Sequence, residues 1–254
     1  MRLEVNFSES NNEFAPAFGE VNNISDGGFE RGYAQGYDDG YALGDIEGYD
    51  RGLAEGYEDG FSEGNTLYYA KNVGSVWENA VFPENHSMIL KFQDVPTSLY
   101  RAFCFAKNLK SVKIITDDRE TPIQFNQTFR ECPNIEIVDL TECSRKISFC
   151  SYMFYAASNL KRILGALDMS LCTTDTYAFF AGNLQEVEFV PNSIKISFRF
   201  SSAYLTDASI ESIINGLADL TGSATQTLTL NGVWSKLTAE QRERISAKNW
   251  SLAY

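Results

Sequence analysis

The sequence predicts an α+β chain: a short N-terminal β element, a long GxxxG-type helical shaft, then a short repeat solenoid closed by an α/β cap. Three observations carry this expectation. Nine glycines recur at every fourth residue from Gly32 to Gly64. Beyond residue 97, four segments align on one pattern of aromatic, small and asparagine columns. Charge divides where the periodicity does: residues 1–64 hold fifteen acids and three bases, the other 190 hold nineteen and eighteen, and the chain carries −13 in all.

Residues 1–29 form the expected N-terminal β anchor. Leu3, Val5 and Phe7 alternate, Asn11 and Asn12 suit a turn, and residues 14–21 make a second strand candidate.

Residues 30–64 contain the array: Gly32, Gly36, Gly40, Gly44, Gly48, Gly52, Gly56, Gly60 and Gly64. After the first eight come Tyr33, Tyr37, Tyr41, Asp45, Tyr49, Leu53, Tyr57 and Phe61, so seven of the eight followers are large and apolar or aromatic. On an α-helix, successive glycines at this period lie about 40° apart and form a bare ridge beside an aromatic one. Collagen requires period three, and a strand would leave the whole array without a turn. Each glycine costs a helix about 1 kcal/mol relative to alanine, so nine cost about 8–9 kcal/mol, comparable to the stability of a whole domain. Close approach of a second helix would offset that cost, in a right-handed crossing because the period exceeds that of the helix. Such contacts are best known in membranes, but about one acid per repeat excludes lipid here. The expected partner is the same segment in further copies, with a trimer favoured and an intrachain or heterologous helix as the alternative. A disordered glycine-rich spacer would not keep a strict phase.

Residues 65–96 are the expected connector and solenoid entry, with a helix over 67–81 and a first strand over 88–92. Residues 97–203 hold the repeats. These read Phe103-x-x-Ala106-x-Asn108-Leu109-x-x-Val112-x-Ile114, Phe129-x-x-Cys132-x-Asn134-Ile135-x-x-Val138-x-Leu140, Phe154-x-x-Ala157-x-Asn159-Leu160-x-x-Ile163-x-Gly165, and Phe179-x-Ala181-x-Asn183-Leu184-x-x-Val187-x-Phe189. Their asparagines are 26, 25 and 24 residues apart. The leading Phe is expected to fill the core between coils and the small residue to permit a tight turn. Asn suits the turn by bonding local backbone, and the apolar alternation that follows is a strand. Neighbouring coils would then bury one another's apolar faces.

Residues 204–254 read as the cap. Thr206 and Asp207 can N-cap a helix bearing Ile210, Ile213, Ile214, Leu217 and Leu220. Residues 225–230 alternate as a strand, Thr238-x-x-Gln241 is a capping box, and Trp250-Ser251-Leu252 closes as a last strand.

The coil resembles the leucine-rich repeats of bacterial surface-antigen type, with their MFxxCxxLxxVxL pattern. Tyr152-Met153-Phe154-Tyr155-Ala156-Ala157-Ser158-Asn159-Leu160 is the nearest match, and the resemblance covers about residues 97–200. It departs at Gly165, in a strand-core column, and in the shortened fourth coil. A second set of segments spans most of the chain: Leu3-Glu4-Val5-Asn6-Phe7, Phe18-Gly19-Glu20-Val21, Ile24-Ser25-Asp26-Gly27-Gly28, the Gly-Tyr-x-x array, Leu228-Thr229-Leu230 and Ala247-Lys248-Asn249-Trp250-Ser251-Leu252. In these the chain resembles small structural proteins of phages and prophages of Gram-positive gut bacteria. That resemblance implies a virion component, tail-fibre or baseplate-associated, but it supplies neither a receptor nor a catalytic residue.

Composition agrees with such a role. No apolar leader opens the chain, so synthesis in the host cytoplasm is expected, and no stretch is long and apolar enough to span a membrane. The acidic N-terminal region argues against nucleic acid as a partner. Five cysteines without CxxC spacing, Cys104, Cys132, Cys143, Cys150 and Cys172, read as reduced core residues.

Chemistry is not signalled. His86 is the one histidine and has no orienting acid in its sequence neighbourhood, so it reads as solvent-facing. The acid pairs Asp38/Asp39, Glu58/Asp59 and Asp117/Asp118 read as solvated, and no calcium loop or phosphate-cradling glycine loop occurs. No catalytic residue, cofactor or metal is expected. The candidate binding surface is the outward face of the repeat strands, in two ladders: Ser111, Ile137, Arg162 and Glu186, and Lys113, Asp139, Leu164 and Glu188. The expected function is a virion structural protein that self-associates through the glycine array, meets other virion proteins through its N-terminus, and displays the repeats to a host-surface receptor. The alternative is an intracellular assembly adaptor. An enzyme such as a cell-wall hydrolase is the third class, and the sequence offers it neither paired acids in a recognisable setting nor a nucleophile with its base.

Overall fold

The computed structural model describes residues 77–92, 96–118, 120–144, 146–174 and 176–253, together with the backbone of strands at 22–23 and 66–70. The glycine array and the strand candidates before residue 22 lie outside the described residues. Seven strands form one sheet: β1 (Asn22–Asn23), β2 (Thr66–Ala70), β3 (Val81–Phe92), β4 (Lys107–Ile115), β6 (Ile137–Asp139), β8 (Arg162–Leu167) and β9 (Glu186–Phe189), in that spatial order. A second sheet pairs β5 (Ile123–Gln124) with β7 (Ile147–Phe149), and a third orders β10 (Phe198–Ser201), β11 (Gln226–Asn231) and β12 (Trp250–Ala253). Every pairing is parallel except β1 with β2.

This corrects the predicted fold class. The described residues are predominantly parallel β rather than α+β, and their two helices, α1 (Asp207–Gly216) and α2 (Ala239–Ala247), are ten and nine residues long. No long helical shaft stands among them. In the antiparallel β1–β2 pair, Asn23 lies opposite Thr66.

The coils form because each sequence column meets its counterpart one coil away. Phe103, Phe129, Phe154 and Phe179 are fully buried, with successive ring centroids 5.3, 5.6 and 5.7 Å apart. Trp77 extends this stack at 4.9 Å from Phe103. Its turn is tied to the next by Trp77 N–H donating to Ala102 O at 3.0 Å and Asn79 N–H to Cys104 O at 2.8 Å. The helix expected over 67–81 is therefore replaced by strand β2, the Trp77 turn and the start of β3. Trp77 and Ala80 take the Phe and small-residue columns of one more coil, in which Phe82 stands for Asn. Asparagine also acts differently from the expectation: Asn159 and Asn183 donate from Nδ2 to Pro133 O and Ser158 O at 2.7 Å, tying each coil to the preceding one.

Gly165 explains the break in its column. Its φ is +97°, and a Cβ there would lie 2.9 Å from the Leu140 carbonyl carbon, so only glycine fits. The strand bulges, and register between β8 and β9 shifts between Arg162 and Ala166.

The cap seals the last coil. Thr206 N-caps α1, and the helix covers the edge of β9, whose Val187 and Phe189 N–H groups donate to Ser209 Oγ and Ser212 Oγ at 3.0 and 2.9 Å. Thr238 and Gln241 form the capping box of α2. One hydrophobic cluster runs from Trp77 to Trp250, so coils and cap share a single core.

Candidate functional site

The sheet places the predicted ladders as follows. Ser111, Ile137, Arg162 and Glu186 fall in one register row, extended to Ser87 on β3. Along it, Ser111 Oγ donates to Ser87 Oγ at 2.7 Å, and Arg162 Nε donates to Glu186 Oε2 at 2.7 Å. Lys113, Asp139 and Leu164 share the second row, but Glu188 stands opposite Ala166 because of the Gly165 bulge.

Three of these eight residues are withdrawn from solvent: Ser111, Lys113 at 7% exposed and Asp139 at 0%. Thr141 donates to Asp139 Oδ1 through its N–H at 2.8 Å and its hydroxyl at 2.6 Å. Lys113 Nζ lies 3.7 Å from Asp139 Oδ2 and 3.1 Å from Glu142 Oε1. Their work is to neutralise charge inside the protein. Leu164, Glu186 and Glu188 line a shallow groove of about 390 Å³ with Gly165, Thr206 and Ser209.

A second surface lies along the turns between sheets. Each turn bends through left-handed residues: Arg101, Gln127, Tyr152 and Tyr177 have φ between 51° and 57°. That conformation costs an L-residue about 1–2 kcal/mol. Hydrogen bonds from turn to turn offset it, with Phe103, Phe129 and Phe154 N–H donating to Thr128, Met153 and Ala178 carbonyls at 2.9, 2.9 and 2.8 Å. The turn buries its Phe and directs the neighbouring aromatics outward.

Those aromatics assemble with arginine. The Arg130 guanidinium lies over the rings of Phe105, Tyr152 and Tyr155 at 5.5, 5.6 and 5.8 Å, and Glu131 pairs with it at 3.0 Å. Tyr155 stacks on Phe180 at 5.7 Å, while Tyr152 meets Tyr177 at 5.7 Å. Arg199 lies over Tyr177 at 5.5 Å. Tyr177 is 38% exposed; with Phe198, Arg199, Ser197 and Thr227 it lines a groove of about 320 Å³. The assembly is a preformed band of flat rings and guanidinium donors, with cation–π contacts holding the arginines in place. It offers apolar planes and charged donors to a ligand. In the sequence this band is hidden, because its residues occupy the unassigned columns of the repeat. A signal was present in the coil-length spacing of 25 residues from Tyr152 to Tyr177 and from Tyr155 to Phe180.

Asp118 accepts from Glu120 N–H at 2.7 Å and from the Thr121 hydroxyl at 2.5 Å, and the Thr121 bond holds its carboxyl below the usual range. Among the described residues, no three or more His, Cys, Asp or Glu side chains are grouped to hold a metal. His86 is not the solvent-facing side chain expected from its neighbours. It stacks on Phe82 at 4.9 Å, and its buried Nε2 has no hydrogen-bond partner among the described residues. Burial lowers its pKa from 6.5 to about 4.

That depression makes stability depend on pH. Below pH 6.5 the unfolded chain takes up the proton, while the folded chain resists it down to about pH 4. Stability present above pH 6.5 is therefore lost as pH falls through this window, by up to about 3 kcal/mol. Denaturant unfolding of the wild type and of His86→Phe at pH 7 and pH 4.5 checks this. The histidine chain should lose more stability on acidification, and equal losses would reject the assignment.

Comparison with models of protein families, with curated proteins and with solved structures finds no match for this chain.

Proposed function

We propose that this protein is a non-enzymatic phage structural component, tail-fibre or baseplate-associated, and that its repeat body binds the host surface. The observation that carries the binding part is the aromatic–arginine band. Tyrosine and arginine dominate the energetic centres of protein interfaces, because they bring large contact area at low entropic cost together with directed polar groups. A stack of coils presents them on one rigid face, so little ordering cost remains when a ligand docks. The resemblance to phage structural proteins supports the location. The acidic N-terminal region would attach the protein to its neighbours in the particle, and self-association through the glycine array would present several copies of the band to one surface, which raises avidity.

Immunogold labelling of particles and a pull-down with host cells test the two halves of this reading. Labelled particles, together with retention of the full chain on cells or isolated wall material, are the expected results. Absence from particles would remove the virion role, whereas labelled particles with an unretained chain would remove the receptor-binding role.

A further inference from the structure

We infer that Cys150 and Cys172 are a latent disulfide, closed when the protein meets an oxidising small-molecule disulfide. Their sulfurs are 3.2 Å apart, on consecutive coils, and both thiols point at one acceptor, Thr174 O, at 3.4 and 3.1 Å. All five cysteines are buried, and none is in a disulfide. A covalent bond of about 2.05 Å requires these two sulfurs to close by roughly 1 Å.

The other cysteines are held differently. Cys132 donates to Phe103 O at 2.8 Å inside the Phe stack, where burial pushes its thiol well above the usual range. Burial raises Cys104 too. Cys172 lies beside exposed Leu171, Thr173 and Thr174, so a modest opening of that loop admits a reagent.

The exchange balances as two substitutions. The Cys172 thiolate attacks one sulfur of the small-molecule disulfide, which expels its first thiolate and leaves a mixed disulfide on Cys172. The Cys150 sulfur then attacks Cys172 Sγ, the mixed bond breaks, and the second small thiolate leaves. The two protein thiol protons end on the two small thiols. The protein loses two electrons, and the small-molecule disulfide gains them.

The position gives the bond a consequence. Cys150 opens the turn that carries Tyr152 and Tyr155, and Thr174 precedes the turn that carries Tyr177. Closure would brace the aromatic band between coils. In a reducing cytoplasm the pair stays open, and outside the cell it can close and persist. The bond itself does not depend on what the band binds.

The test is oxidation of the folded full chain with oxidised glutathione, followed by acid quenching, alkylation and peptide mapping, with no host material present. The expected result is one cross-linked peptide pair joining Cys150 to Cys172 and loss of those two thiols among the five, with a raised thermal midpoint that dithiothreitol reverses. Cys150→Ala and Cys172→Ala should each abolish the cross-link, and Cys143→Ala should retain it. Mapping of the wild type alone decides the case if a variant fails to fold. A full set of alkylated thiols under conditions that oxidise a reference dithiol would overturn the inference, and so would a link joining any other pair.

Discussion

Phe129→Ala is expected to destabilise the repeat body by about 3–5 kcal/mol. The ring is fully buried between Phe103 and Phe154, at 5.3 and 5.6 Å, so truncation leaves a gap that neither neighbouring coil can fill without moving its own stack. The lost transfer energy and the cavity add. Tyr204→Ala is the contrast. That ring is 59% exposed, and its removal should change stability by under about 0.5 kcal/mol. Chemical denaturation of both variants checks the pair, and similar losses would mean that the Phe column is not the spine of the coils.

Lys113→Met is expected to cost about 3–5 kcal/mol, far more than its lysine identity on a strand suggests. Asp139 is fully buried, and its Oδ2 accepts no hydrogen bond among the described residues. The Lys113 ammonium, 3.7 Å away, is what balances that oxygen. Removing the cation leaves a buried carboxylate held only by the two Thr141 hydrogen bonds to Oδ1, with Oδ2 unbalanced. The double variant Lys113→Met/Asp139→Asn should recover much of the loss, because the charge disappears with its partner. A Lys113→Met chain as stable as the wild type would show that the pair carries no such burden, and an unrecovered double variant would place the cost in packing.

These predictions mark how far the sequence can be read. The Phe, small-residue and strand columns were legible because a solenoid repeats its inward environment, and each column kept one residue class. The caps at Thr206 and Thr238 were legible because they depend on neighbours within one helical turn. The coil opened by Trp77 escaped notice since Trp and Phe82 broke the Phe and Asn columns. The outward ladders were misjudged at Lys113 and Asp139 because an ion pair between consecutive strands cannot be read from either strand alone. Glu188 left its row through a bulge signalled only by Gly165. The fold class failed for a related reason: local periodicity speaks for a helix, whereas the parallel pairing that dominates the described residues, such as β2 with β3, is non-local. The aromatic band was visible as spacing, but its meaning depended on left-handed turn residues that no residue type announced.

The binding of the full chain to isolated host wall material, wild type against Arg130→Ala/Tyr155→Ala, tests the central claim most directly. Both residues lie on the band, half-buried and outside the Phe stack, so thermal melts should first show that the double variant remains folded. The account predicts at least a tenfold weaker binding isotherm for the variant, about 1.4 kcal/mol or more for two central interface residues. A folded variant that binds as tightly as the wild type would contradict it.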